Sequence, residues 1–491
     1  MILIITAVLL AAAALAVFVD WRNALHASLL IGVLQDPLRK LTPEQPVYFN
    51  ALVVGVFGLA CLSALSSNVS LAPQRIAGWR RYLARPFALF VGLIVVQAAN
   101  GYLQTENIIV VFIGLLSYLT PFPAIMLAYQ WALRNELGAI SRFLWGYVIF
   151  VGPALLTIYL QFLGLKWDIM GEVGIGIRMY QSQFVLEANS GIFRASEVAA
   201  WHVGTCVSVI LMMLFAKRRS AVYFAVAIAA CCVLVWMGML TGRRKSLAEI
   251  ALFLSSFIFM LLVFKRGAMK FAIATVLIGL SLYMVAFGIL RDDEIDAVAA
   301  TTKENAYMAR STTVFGDMAD RFDMLGIAPI FWAFQQTGIA GAGVGYGSQG
   351  AAQFGGSIQG AAEGGLGKIT LELGLPGLLL AGWMTLAFVR HLWWCCRHVT
   401  TIGPQLIYLT CGCIAILVAN AATFAVASQV FGDILVLLML GTFLGFALAM
   451  PVLASREAAR SEKVASKGPR IPSQPRSSLS AGPTSQGARA R

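Results

Sequence analysis

Apolar residues run along the chain in blocks of roughly 18 to 25, the length that spans a bilayer as a helix. The blocks lie near 2–19, 24–41, 49–67, 86–104, 108–130, 141–163, 201–216, 221–240, 247–264, 271–290, 366–389, 404–424 and 427–450. Asp36 and Pro37 interrupt the second, which reads as a half-helix, so the pattern predicts 12–13 transmembrane helices. The first block lacks a basic leading segment and a soluble domain after it, and it reads as a retained span. The expected fold is an all-α polytopic membrane domain over 1–452, with outward loops at 165–200 and 291–365 and a disordered tail over 453–491.

Composition agrees with this pattern. The 491 residues are 59% hydrophobic and 12% charged, with a mean hydropathy of +0.79. A soluble domain carries about 25% charged residues, so a single water-soluble core is excluded. The net charge of +13 would suggest nucleic acid in a soluble chain. Here its placement matters more, and no nucleic-acid partner is expected. Arg75, Arg80, Arg81 and Arg85 share one short loop, and Arg134 and Arg142 another. Lys217, Arg218 and Arg219 form a third, Lys265, Arg266 and Lys270 a fourth, and Arg390 and Arg397 a fifth. All five fall on the side of the C-terminal tail, which the positive-inside bias makes cytoplasmic. From Arg456 onward the tail has eight basic and two acidic residues among many Ser, Pro, Gly and Ala, a composition that does not fold alone.

The eight cysteines lie in apolar blocks or in the turn at 390–398, so no disulfide framework is expected. Four histidines without metal-ligand spacing predict no zinc site and no metal cofactor. Loop 291–365 holds nine of the 23 acidic residues against four basic ones. With Phe315, Phe322, Phe331, Trp332 and Phe334 it reads as ordered short helices over the membrane surface.

One turn breaks the charge rule. Thr241-Gly242-Arg243-Arg244-Lys245-Ser246 puts three cations on the outward side, where an anionic ligand would compensate them. Alternatively they snorkel to outer-leaflet phosphates. Other polar residues share that face: Arg194 and Glu197, then His202 in the first turn of the span opening at Trp201. Arg321 lies between Asp320 and Asp323, and Glu363 at the edge of the span near Leu366. Singly, each reads more simply as a solvated or paired charge. Together they suit a substrate with a diphosphate head and a lipid tail, since guanidinium forks bind phosphate bidentately and a carboxylate can act as a general base. The run Gly341-Ala342-Gly343-Val344-Gly345-Tyr346-Gly347 lacks the strand-before, helix-after context of a dinucleotide loop. It reads as a tight turn where backbone approaches a ligand or the membrane. Intramembrane charges are few: Glu249, Glu372 and Asp433.

Over roughly 190–450 these motifs resemble the O-antigen ligase/polymerase superfamily. Thr241-Gly242-Arg243-Arg244 is similar to that family's TGSR turn, with Arg244 at the functional arginine and Arg243 at a usual serine. Arg321, Trp332-Ala333-Phe334 and Gly341–Gly345 follow its arginine, tryptophan and glycine-loop order, with a longer arginine–tryptophan spacing. Glu372-Leu373-Gly374-Leu375-Pro376-Gly377 resembles its next segment, and Glu363 stands where the family often has a histidine. Phe193-Arg194 resembles an arginine motif of the polymerases.

The resemblance implies a C-type glycosyltransferase-like fold in a bacterial inner membrane. It also implies metal-independent, inverting transfer of a glycan from undecaprenyl diphosphate to a second lipid-linked chain or, in a ligase, to lipid A–core. The implied catalytic residues are Glu363, Arg321 and Arg244, with Arg194, Arg243, Glu197 and His202 binding diphosphate or glycan. Implied partners are the lipid-linked donor, a polysaccharide or lipid acceptor, membrane lipids, and a chain-length regulator or flippase. The alternative classes are a lipid-linked-glycan flippase or transporter, which needs a polar pathway through the membrane middle, and a scaffold acting through the basic tail.

Overall fold

The computed structural model describes residues 2–173, 178–181, 184–216, 220–265, 302–312, 318–348, 363–401 and 404–466. The expected span near 271–290, the basic residues Lys217–Arg219, Arg266 and Lys270, and the tail past 466 lie outside them.

The chain forms an all-helical, polytopic membrane bundle. Eleven helical segments among the described residues are long and apolar enough to cross a membrane. In chain order the helices used below are α1 (Ile2–Val19), α2 (Ala24–Lys40), α3 (Leu52–Ser66), α4 (Ala84–Thr105), α5 (Ile108–Leu119), α6 (Pro121–Arg134), α7 (Glu136–Leu155), α8 (Ser196–Ala216), α9 (Ala221–Leu240), α10 (Lys245–Phe264), α11 (Lys303–Thr312), α12 (Ala328–Thr337), α13 (Gly365–Val399), α14 (Pro404–Val426) and α15 (Ile434–Ser466). Helices α5 and α6 make one crossing, broken at Thr120-Pro121 where proline starts a new helix.

Helix α8 is central. Most of its residues are buried, from Ser196 to Ala216, against α7, α9, α10 and α14. A helix apolar on all sides and packed on all sides is a core helix, whereas α1 and α4 show exposed faces suited to lipid.

Two expectations need correction. The second block, α2, expected to break at Asp36 and Pro37, runs as continuous helix to Lys40, yet it is not among the eleven helices long and apolar enough to cross a membrane. Its charges are buried with partners: Asp36 accepts from the Arg194 amide at 2.9 Å, and Lys40 Nζ donates to the carbonyls of Gly191 and Phe193 at 2.9 and 2.5 Å. Buried charge inside the bundle therefore exceeds the three residues expected, because distant loops satisfy groups that the local sequence leaves open. The tail, expected to be unstructured from 453, continues as helix to Ser466, since Ala, Arg, Glu and Lys are strong helix formers.

The basic turns gather at one end. His391 Nε2 lies 2.6 Å from the Ala77 carbonyl, and Arg456 donates to the Leu133 carbonyl at 2.6 Å. At the opposite end stands a hairpin, β1 (Arg178–Gln181) paired antiparallel with β2 (Phe184–Glu187), a short exception to the all-helical pattern. Met179 and Leu186 of the hairpin pack on Ala306 and Tyr307 of α11. The Tyr307 hydroxyl donates to the Glu187 carbonyl, and burial pushes that phenol up to about 12. The described parts of loop 291–365 thus form short helices, α11 and α12, at this end.

Candidate functional site

Gly242 shapes the site. It closes the turn between α9 and α10 at φ +69°, and a Cβ there would run into the Met179 methyl. Thr241 Oγ1 donates to the Gly238 carbonyl at 2.6 Å and accepts from the Arg243 amide at 3.1 Å, which holds the turn tight. Three consecutive cations leave this turn with different partners.

Arg243 turns inward. Its Nη2 pairs with Glu197 at 2.9 Å and reaches Glu172 at 3.8 Å, while Nε donates to Ser196 Oγ at 2.8 Å. Glu172 also accepts from the Ser196 amide at 2.9 Å and from its hydroxyl at 2.5 Å. The compensation expected of a ligand is supplied, for Arg243, by the chain's own carboxylates. This clamp fastens the turn to the first residues of α8.

Arg244 and Lys245 line a cavity of about 550 Å³. Arg310 of α11 and Arg321 line it too, together with Arg243, Glu197 and Glu363. Phe322, Leu325, Leu252 and Val426 supply apolar wall. Arg321 stands where α-helix gives way to a π-helical stretch, Phe322–Ile327, a local widening frequent at functional sites. Lys245 Nζ donates to Gln429 Oε1 at 2.6 Å, and Arg310 Nε to the Gly242 carbonyl at 3.4 Å. Burial, then the guanidinium groups of Arg244, Arg243 and Arg321, lower Arg310 below the usual arginine value. The cations are close enough to feel one another, and arginine stays charged regardless. The Glu363 side chain is exposed at the rim, and its carbonyl accepts from the Ser428 amide at 2.7 Å and hydroxyl at 3.0 Å.

Five of the seven sequence candidates therefore share one cavity: Arg243, Arg244, Arg321, Glu197 and Glu363. Two do not. Arg194 pairs with Asp433 at 3.0 Å and lines a neighbouring, mostly apolar cavity of about 580 Å³. That cavity contains Lys368, Ile113 and Leu116, opens beside Phe112, which is 56% exposed, and shares Gln429 with the first. His202 is buried between Phe193 and Trp201, at ring distances of 4.9 and 5.0 Å, with Nδ1 2.8 Å from the Tyr147 hydroxyl. It belongs to the packing under the site.

The glycine run approaches protein backbone. The Gly343 amide donates to the Glu372 carbonyl at 2.9 Å and the Val344 amide to the Gln97 carbonyl at 2.9 Å. Gly343 sits at φ +100°, and a Cβ there would collide with the Gly101 and Asn100 backbone. The Glu372 carboxylate accepts from the Gly347 amide at 3.0 Å. The run plugs α4 and α5 against the bend at Gly374 in α13.

Sequence reading missed Glu172, Arg310 and Gln429. Arg310 had a usable signal, being one of four basic residues in an acidic loop. Glu172 and Gln429 had none. Four cations around a part-apolar cavity can hold a group with several negative charges, and Glu363 can accept a proton at its edge. Among the described residues no group of three or more His, Cys, Asp or Glu stands ready to hold a metal. No protein-family model matches the chain, and no curated protein matches it.

Proposed function

We propose that the protein is a membrane glycan polymerase of C-type glycosyltransferase-like fold. It transfers an undecaprenyl-diphosphate-linked oligosaccharide to a growing lipid-linked chain, at the outward face of a bacterial inner membrane, with the C-terminus in the cytoplasm. One observation carries the reading: Arg244, Lys245, Arg310 and Arg321 surround one cavity with Glu363 at its rim, beside a second cavity that shares Gln429 and has Ile109, Phe112, Ile113 and Leu116 on its wall.

In this reading the donor diphosphate lies among Arg244, Arg310 and Arg321, and the first isoprene units lie along the apolar wall of the second cavity. Glu363 accepts the proton of an acceptor hydroxyl as its oxygen bonds to the anomeric carbon. The bond from that carbon to the diphosphate oxygen breaks, and undecaprenyl diphosphate leaves with the electron pair. Attack opposite the leaving group inverts the anomeric centre. The arginines stabilise charge that grows on the leaving oxygen, the electrostatic task assigned elsewhere to Mg²⁺. Arg243 and Glu197 position the turn through their ion pair. A lipid A–core acceptor would make the same chemistry a ligase reaction.

A flippase is the second reading, favoured by the buried charges Asp36, Lys40 and Asp433 and by the partly buried Arg194 paired with Asp433. They sit where α2 ends and where α8 and α15 begin, near one end of the bundle. A deletion strain separates the two. Accumulated single repeat units on lipid carrier support the polymerase, and absence of outer-leaflet carrier supports the flippase.

A further inference from the structure

A second region of interest lies at the other end of the molecule, a cavity lined by α6, α7 and α15. It measures about 1120 Å³. Helix α8 spans the two regions, with Glu197 at the site described above and Met213 and Ala216 at this cavity. At 1.5 Å per residue that separation is roughly 25 Å or more, so one ligand head cannot serve both.

Four arginines line this cavity: Arg134, Arg142, Arg456 and Arg460, against a single carboxylate, Glu457. The fold positions Arg456 and Arg134 by contacts with the chain's own groups. Arg456 is tied to the Leu133 carbonyl at 2.6 Å, and the Arg134 guanidinium lies over the Trp21 ring at 5.9 Å. The remaining wall is apolar, with Trp145, Leu453 and Met213 among its residues. It reaches Ile149, seven residues along α7 from Arg142, or about 10 Å. Ile149 is 69% exposed on the outside of the bundle, so the apolar part opens sideways. A soluble phosphate would use only the basic half of such a cavity.

We infer that this cavity binds an anionic phospholipid, its phosphodiester among Arg142, Arg456 and Arg460 and its acyl chains against Trp145 and Ile149. Basic pockets between transmembrane helices bind such headgroups, and planar guanidinium forks match phosphate oxygens. The inference stands apart from the glycan reading, because it uses none of the same residues.

Full-length protein purified in neutral detergent is the test material. It is mixed with dioleoyl phosphatidylglycerol, cardiolipin or dioleoyl phosphatidylcholine micelles, or with inorganic phosphate, and bound lipid is read by native mass spectrometry. The anionic lipids should bind at least about tenfold tighter than phosphatidylcholine, and weaken in high salt. The double variant Arg142→Gln, Arg460→Gln should lose that preference, and the double lysine variant should keep most of it. A photo-crosslinking phosphatidylglycerol should label wild-type segments 134–149 and 453–461, a readout that needs no variant. Equal binding of the charged and neutral lipids overturns the inference. So does competition by inorganic phosphate at matched concentration, or labelling confined to other segments.

Discussion

Adjacent arginines in one turn should respond to the same substitution in opposite ways. Arg243 is 15% exposed and its partners Glu197 and Glu172 are 10% and 7% exposed. Arg243→Gln removes the cation between two carboxylates and the bond to Ser196. Breaking a fully buried pair costs about 3–5 kcal/mol, because the partner charge is left uncompensated. With some water access the cost here should be about 2–4 kcal/mol. Arg244→Gln removes one cation from a cavity already crowded with them, and should cost at most about 1 kcal/mol. Its effect should fall on turnover instead, by about a hundredfold or more, the usual loss when a charge-stabilising donor is removed. Thermal unfolding in detergent, followed by a thiol-reactive dye, reads the first quantity, since the eight cysteines are free thiols and six are buried. Polymer formed per folded molecule reads the second, and for Arg243→Gln it should stay within about tenfold of wild type. Equal stability of the two variants, or a stable Arg243→Gln that has lost turnover, would refute the division of roles.

Glu363→Gln keeps the size of the proposed base and removes its proton affinity; turnover should drop at least about a hundredfold with donor binding retained, as read by kinetics beside a binding measurement. Arg321→Lys keeps charge but loses the planar fork, and most activity should go at unchanged protein level on a blot. Gly343→Ala should cost at least about 3 kcal/mol in the dye assay, combining a φ of +100° with a backbone collision, and near-wild-type stability would contradict the packing role. Truncation after Ser466 should leave product length and yield near normal at matched expression, because the proposed site lies at the opposite end of the bundle.

The helices were legible because blocks of apolar residues have few ways to satisfy backbone groups in lipid. Spans such as 221–240 coincide with their helix to the residue. The sequence misled at α2, where Asp36 and Pro37 read as an interruption; partners 155 or so positions away, visible only in three dimensions, bury those charges instead. It misled again at the tail, where charge looked like disorder but Arg456–Ser466 is good helix sequence. At the site, clustering of Arg244, Arg321 and Glu363 on one face followed from topology alone. The difference between Arg243 and Arg244 did not, since it depends on the direction of each side chain around Gly242. His202 looked polar and interfacial in sequence, yet lies inside, with its Nδ1 beside the Tyr147 hydroxyl and its ring packed between Phe193 and Trp201.

The central claim is glycan transfer from lipid diphosphate at the Arg244, Arg321 and Glu363 cavity. Its most direct test is conversion of a defined undecaprenyl-diphosphate oligosaccharide by the purified protein in EDTA, with and without lipid A–core, beside Glu363→Gln. The account predicts a ladder of longer lipid-linked chains with inverted linkages, formed without added metal and without lipid A–core, and strongly reduced in the variant. Unchanged donor after long incubation with well-folded protein, or equal product from wild type and Glu363→Gln, would contradict it.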